Sequence, residues 1–493
     1  QTWWKQGKAW VDYAQRCQAL LQYGKPVRDI AVFTGEEFPR RAILPDRLTP
    51  FLPGLLGEKK VEKEKARLAN IGEPMRQMPV GVNHSANITG SENWVNALRG
   101  YQYDSFNRDA LLNRAEVKNG KITLPSGMSY DILVIPGKHL MQPDSERISI
   151  EVAAKLFDMI RQGAKIMVSE LPEKTLGLIQ QDKDLISIIG EKQFFEGHTS
   201  FNIGKGQLIK LPYMHETFDK LGISRDFIAN ENGIYANNIA YTHRQGNDAD
   251  IYFVSNQLDS TRVIDVSLRV KGKVPELWNP VTGEIKDASF WIYEGSRTQL
   301  SIFLDANESV FIVLRRRGEK PSTPQSYHSS AKTIRTPWKV QFDKEYRGPE
   351  EPITFTCLTD WSKHKDERIK YYSGTAIYTN KFNLKRKNKT RYYIELEDIY
   401  NLADVKINGK PCGTIWTKPY KLDITDAVKH GNNKLEITVV NTWANRIMGD
   451  EDFEAEKDEN KKIWTNARYR LVKKELIKSG LVGKINIVSE TAK

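Results

Sequence analysis

At 493 residues the chain is too long for one hydrophobic core, so roughly two to four domains follow from size alone. It is 39% hydrophobic and 28% charged with a mean hydropathy of −0.55, the composition of a soluble globular protein, and no apolar run reaches the length needed to cross a bilayer. The net charge of +12 arises from 74 basic and 62 acidic residues spread along the whole chain, and the dense clusters at Arg315–Arg317 and Lys385–Lys389 have no interleaved aromatic platform. That pattern argues against nucleic-acid binding and reads either as solvated surface or as a functional basic patch, for which an acidic glycan is the expected partner.

Three cysteines exclude a disulfide framework. Cys357 and Cys412 either pair in an oxidising compartment or remain buried thiols. No CxxC, HExxH or Cys/His cluster of zinc spacing occurs, so no transition-metal site is expected. The chain opens on Gln1-Thr2-Trp3-Trp4, with neither an initiator Met nor a signal-peptide pattern, and reads as a fragment or processed product.

In chain order, Trp3, Trp4, Trp10, Val11, Ala14, Cys17 and Leu21 recur at helical spacing and predict an amphipathic helix over 3–23, ended by Gly24 and Pro26. A preceding domain is one natural partner for its tryptophans. Asp29–Thr34 is a short buried strand, followed by a long insertion over 36–104 with a charged helix near Glu58 to Ala69. Asp131–Gly137, a helix carrying Ile148, Val152, Leu156, Met159 and Ile160, and Lys165–Val168 form a strand–helix–strand unit whose strands read as buried on both faces. From about 230 the periodicity changes to two, with strands at 250–254, 265–270, 298–304 and 309–314. Residues 318–335, with Pro321, Pro324 and several serines, read as a linker. The remainder alternates again at 392–396, 404–407 and 435–440, and Asn408-Gly409 marks a hairpin, which together suggest a sandwich or jelly roll.

Three stretches carry a resemblance. Thr2-Trp3-Trp4 with Tyr13-Ala14-Gln15-Arg16 and Leu20–Gly24 resembles the helix that closes the catalytic barrel of family 106 α-L-rhamnosidases. Tyr103–Asn107 with Asp109–Leu112, and Leu124–Gly127 leading to Pro136, resembles that family's α/β domain. Ala403–Gly409, Trp416–Tyr420, Asp423–Thr425, Gly431–Asn433 and Asn441–Arg446 resemble the jelly-roll sugar-binding domain of family 2 hydrolases.

The resemblance implies the C-terminal part of a bacterial, periplasmic or secreted glycoside hydrolase of mixed α/β and all-β class. Its parts are a barrel-terminal helix (1–27), an amidotransferase-like, flavodoxin-like parallel-sheet domain (28–228), a small antiparallel β-domain (229–317), the linker (318–335) and a galactose-binding-like jelly-roll sandwich (336–493). It also implies an inverting enzyme that uses two carboxylates about 6.5–9.5 Å apart at barrel strand ends and depends on calcium. The resemblance places those strands upstream of Gln1, so no catalytic acid or base is assigned here. The expected partners are a rhamnose-containing glycan and the upstream barrel of the same polypeptide. The alternative is a free-standing carbohydrate-binding or structural protein. The α/β segment contains neither a cysteine nor a G-x-S-x-G elbow, which removes the nucleophile an amidotransferase or serine hydrolase needs.

Candidate ligand contacts follow from residue type and place. Glu37, beside Glu36, follows a strand end, where α/β folds seat ligands. His84 in the insertion either orients a sugar hydroxyl or makes a structural hydrogen bond. Tyr103, Asp104 and Asn107 either face that site or, for the latter two, cap the helix beginning near Asp109. Trp443, Asn445 and Arg446 either offer an indole platform with a bidentate donor or pack internally.

Overall fold

The computed structural model describes residues 2–36, 43–69, 95–138, 147–177, 181–189, 198–318, 327–452 and 475–492. These form two compact units, a larger one (Leu20–Trp278 and Ile285–Ser322) and a smaller one (Gln1–Ala19, Asn279–Glu284 and Thr323–Lys493). A one-turn 3-10 helix at Trp4–Gln6 runs into helix α1 (Gly7–Leu21).

The larger unit opens with β1 (Lys25–Pro26) and β2 (Ile30–Phe33), and continues through β3 (Tyr103–Phe106), β4 (Ile132–Ile135), α2 (Ile150–Gln162), β5 (Lys165–Val168), β6 (Ser200–Ile203) and β7 (Gly206–Lys210). β7, β5, β4, β2 and β3 are parallel neighbours in that order, and β6 pairs antiparallel with β7 at the edge. Alternate strand residues serve two cores. Ala31, Phe33, Leu133, Ile166 and Val168 pack with Val152, Leu156, Phe157 and Ile160 of α2. Ile30, Val32, Ile132, Val134 and Met167 meet Leu48, Leu52, Leu55, Tyr101 and Phe218. This two-sided burial is why β2, β4 and β5 are continuous apolar runs. Ser149 caps α2 by accepting the Val152 N–H at 3.3 Å, and Gly163 ends it at φ 126°.

The same unit continues as two antiparallel sheets around one core. One contains β9 (Ile239–Gln245), β10 (Asp250–Asn256), β12 (Lys273–Trp278) and β14 (Ser309–Arg317). The other contains β8 (Phe227–Glu231), β11 (Arg262–Leu268) and β13 (Arg297–Leu304). β1 pairs antiparallel with the end of β9, Lys25 opposite Gln245 and Pro26 opposite Arg244, and so joins this sheet rather than the parallel one.

The smaller unit is a sandwich. β15 (Tyr327–Thr333), β18 (Thr390–Tyr400) and β22 (Gly480–Ala492) lie in one sheet. β16 (Trp338–Phe342), β17 (Thr375–Leu384), β19 (Leu402–Ile407), β20 (Lys410–Ile415) and β21 (Gly431–Val440) lie in the other. Trp338, Trp361, Tyr378, Ile394, Val405 and Ile437 fill the space between them. Asn408 and Gly409 turn β19 into β20 with φ of 53° and 84°, the doubly positive pair a tight hairpin requires.

One expectation is corrected. The linker over 318–335 is strand from Tyr327 to Thr333, paired with β22 from Ala492 back to Asn486. Its partner is more than 150 residues away, so local Ser and Pro content gave no hint of it. Of the tryptophans near the first helix, Trp4 is 80% and Trp10 56% exposed, and Cys17 is the buried residue of α1. Within the smaller unit, the start of the chain is tied to the sandwich. Thr2 donates to the Asn441 carbonyl, Gln6 Nε2 donates to Asp404 Oδ2 at 2.9 Å, and Tyr13 stands edge-on to Trp416 at 5.4 Å. Cys357 and Cys412 are free thiols.

Candidate functional site

The carboxyl ends of β2, β4 and β5 converge on one edge of the parallel sheet, where this architecture seats ligands. A cavity of about 80 Å³ lies there, lined by Gly35, Glu36, Ile135, Ser169 and the first turns of α2. Glu36 is already engaged: its Oε1 accepts the Ser149 N–H at 2.9 Å, and its Oε2 accepts the Ser149 hydroxyl at 2.6 Å and Arg108 Nε at 3.1 Å. Ser149 is the cap of α2, so a carboxylate lies where the helix dipole favours negative charge. Glu37 and His84 lie outside the described residues.

The remaining α/β candidates make internal bonds. Tyr103 donates to the Ile43 carbonyl at 2.5 Å, and burial, reinforced by Asp46, pushes its phenol far above the usual range. Asp104 accepts the Tyr130 hydroxyl at 2.9 Å and lies 3.6 Å from Arg28 Nε. Asn107 Oδ1 accepts the Ala110 N–H at 2.8 Å and so caps the short helical turn after it.

In the smaller unit the three candidates adjoin one another at the end of β21, but their polar atoms are turned inward. Trp443 packs edge-on against Tyr346 at 5.5 Å. Asn445 donates to the Ile477 carbonyl at 2.6 Å and accepts the Ile477 N–H at 2.8 Å. Arg446 Nε pairs with Asp450 at 2.8 Å, and Asp450 also meets Arg347 at 3.3 Å. Asn445 and Arg446 are buried, so only the Trp443 ring is left half-exposed at this rim.

The strongest electrostatic feature was not singled out by the sequence. Between the parallel sheet and the two-sheet part of the larger unit, six buried or half-buried charges alternate in sign. Asp29 pairs with Arg269 at 2.7 Å, Arg269 lies 3.6 Å from Asp226, and Asp226 lies 3.0 Å from His243 Nδ1. His243 Nε2 is 3.4 Å from Asp250, and Asp250 pairs with Lys273 at 2.9 Å. The His243 ring stacks on Tyr252 at 3.8 Å, whose hydroxyl donates to Asp226 at 3.1 Å.

Each ionisation follows from its neighbours. Burial raises Asp29 to about 6 although Arg269 opposes it. Burial also pushes Asp226 up, but His243 and Arg269 outweigh it and hold the carboxyl below its usual range. Burial lowers His243, yet Asp226 and Asp250 override it and leave the ring raised. Burial would raise Asp250, but hydrogen bonds from His243, Lys273 and Gln245 bring it down to about 2. The one signal that could have found this network is register: Ile239, Tyr241 and His243 share the inward face of β9, so a histidine stands where an apolar residue is expected. No group of three or more metal-ligating side chains occurs among the described residues, and no helix among them is long and apolar enough to cross a membrane.

Taken together, a strand–helix–strand sheet, a two-sheet β part and a β-sandwich define a multidomain, mostly β chain. The α-L-rhamnosidase family model, glycoside hydrolase family 106, matches residues 81–292, and the glycosyl hydrolase 2 galactose-binding domain-like model matches 360–480. A solved rhamnosidase from Novosphingobium sp. PP1Y is 27% identical with a TM-score of 0.75, covering 99% of this chain and 41% of that one. A Formosa agariphila protein that bears a beta-glucuronidase name is 23% identical over 99% of this chain and 58% of its own length. The chain thus resembles the α-L-rhamnosidases of glycoside hydrolase family 106 over residues 81–292, and it spans roughly half the length of these two relatives.

Proposed function

We propose that this chain is the accessory region of an inverting, α-L-rhamnosidase-type glycoside hydrolase, shaping the substrate cleft of a catalytic barrel in the same polypeptide and binding a rhamnose-containing glycan. The observation that carries this reading is the likeness to the Novosphingobium rhamnosidase over 99% of the chain while only 41% of that protein is matched. In this reading the parallel-sheet part is an amidotransferase-like, flavodoxin-like scaffold, residues 1–27 continue a barrel, and the protein works in the periplasm or outside the cell. The state of the described carboxylates supports an accessory role. Glu36 is tied down by Ser149 and Arg108, and Asp104 accepts the Tyr130 hydroxyl with Arg28 3.6 Å away, so both are engaged in internal pairings.

The test is to assay the 493-residue chain on an aryl α-L-rhamnoside and by affinity electrophoresis in gels containing a rhamnose-rich pectin. Retardation without hydrolysis is expected. Hydrolysis by the chain alone would refute the accessory role, and unretarded migration would remove the glycan-binding part.

A further inference from the structure

A polar cleft of about 770 Å³ opens over the charge network of the larger unit, within the range of about 300–1,000 Å³ typical of small-molecule sites. Its floor is Asp29, 3% exposed, with Arg269 and His243 beside it. Asp29 Oδ1 accepts from Arg269 at 2.7 Å, but Oδ2 has no hydrogen-bond partner among the described residues. A buried carboxylate oxygen without a donor is costly, and Oδ2 is covered in the free protein, so a hydroxyl that reached it through a small shift of the floor would be stabilised.

The rim has the opposite character. Lys25 and Arg28 line it, and Lys25 has no acidic partner among the described residues. Arg28 donates to the Val27 carbonyl at 2.9 Å and stands 3.6 Å from Asp104, outside hydrogen-bond range. Arg244, beside it, gives its donors to the Tyr23 and Gly24 carbonyls at 2.8 Å, and burial together with the Arg28 charge lowers its basicity. Lys25, Arg28 and Arg244 therefore stand close together here, with Asp104 as the nearby acid of Arg28. The acids of the rim are Asp131, held by Lys121 at 2.9 Å, and the exposed Asp248. Gly127 adjoins the Lys25 side chain and holds φ 81°, a conformation that favours glycine, and a Cβ there would come within 2.0 Å of Lys25 Nζ and push the flexible ammonium group aside. The Tyr23 ring lines the cleft too, and its hydroxyl accepts the Ala249 N–H at 3.2 Å.

A ligand matched to this arrangement carries one negative charge at the rim, hydroxyls at the floor and an apolar ring face for Tyr23. A phosphate dianion would face Asp29 and Asp226, and a peptide would find no apolar anchor pocket. We propose that the cleft is a subsite for a uronate sugar, its carboxylate between Lys25 and Arg28 and a ring hydroxyl donating to Asp29 Oδ2. The inference rests on the reading of the chain as a glycan-handling protein and extends it to an acidic sugar at a second place.

The experiment is calorimetric titration of the full chain at low salt with a galacturonate trimer and with its methyl-esterified, uncharged counterpart. The acid is expected to bind about tenfold more tightly than the ester, with the preference abolished in Lys25→Ala and Arg28→Gln, since each removes a charge-assisted hydrogen bond. Gly127→Ala is expected to weaken the acid as well, by displacing Lys25. Asp29→Asn is expected to weaken acid and ester alike, and thermal melts of the surface variant Lys25→Ala confirm that the fold is kept. Absence of measurable binding, or binding that none of these variants changes, would overturn the proposal. If the chain is retarded by a rhamnose-rich glycan yet ignores both trimers, the uronate subsite fails and the accessory reading stands. If the trimer binds as described while no rhamnose glycan is retained, the rhamnose-glycan-binding part of the proposed function fails instead.

Discussion

Replacing Asp226 by asparagine tests whether the buried alternation of charge holds the larger unit together. The substitution keeps the volume and removes the carboxylate that stands between two cations, His243 at 3.0 Å and Arg269 at 3.6 Å. It also places an amide where protonated His243 donates from Nδ1, so one orientation of the new side chain opposes donor to donor. Breaking one member of a buried ion pair typically costs about 3–5 kcal/mol. Asp29 and Asp250 remain to neutralise part of the surplus, which puts the expectation near the lower end, at about 3 kcal/mol. For a unit of this size that corresponds to a fall of roughly 5 °C in its transition temperature. Because the chain has two units, calorimetry is the assay, with hydrogen exchange along β9 and β11 assigning the shifted transition. The His243 ring should also titrate at lower pH in the variant, since Asp226 is the largest influence raising it. A fall of less than about 3 °C together with an unchanged histidine titration would refute the reasoning, because it would mean that the six charges do not interact as one network.

Three further outcomes are expected. Asp29 titrates near 6 when folded, against about 3.9 for an unperturbed Asp, so the folded state binds the extra proton between those values and stability falls as pH rises from about 4 to about 6, by at most ~3 kcal/mol. The raised His243 extends that loss above pH 6.5, and Asp29→Asn should flatten the lower part of the profile in pH-dependent melts. Asn445→Ala removes both hydrogen bonds to the backbone of the half-exposed Ile477 and should destabilise the sandwich by about 1 kcal/mol in urea melts, with glycan retention of the folded variant unchanged. Gly409→Val places a β-branched residue at φ 84° with open space around it, so the cost is backbone strain alone, about 1–2 kcal/mol, and Gly409→Asn should recover most of it.

What could be read from the residues was whatever local periodicity encodes. Ile30–Phe33, Ile132–Ile135 and Lys165–Val168 announced themselves as strands buried on both faces, because a parallel sheet covered on two sides leaves no polar alternation. Asn408-Gly409 announced its hairpin because few residues other than glycine and asparagine accept a positive φ. Tyr327–Thr333 was hidden for the opposite reason: its order comes from pairing with β22, and edge pairing across more than 150 residues leaves no periodic trace in an exposed, serine-rich segment.

The candidate sites divide in the same way. Residue type pointed to Trp443, Asn445 and Arg446 as sugar contacts, since an indole beside a guanidinium suits a sugar edge. The deciding fact is the partner each polar atom finds, Ile477 for Asn445 and Asp450 for Arg446, and no spacing rule carries that. Conversely Asp29, Asp226, His243, Asp250, Arg269 and Lys273 are scattered along the chain and form no motif, yet folding strings them into alternating order. A buried charge is tolerated only where an opposite charge arrives with it, so such a chain of pairs is specified by the tertiary fold as a whole. The same reasoning separates the two kinds of acid in this protein. Glu36 is an acid with both oxygens hydrogen-bonded, and it holds structure. Asp29 is an acid with one oxygen paired and one left open beneath a cationic rim, and an unfinished pairing of that kind is where a ligand completes what the chain does not.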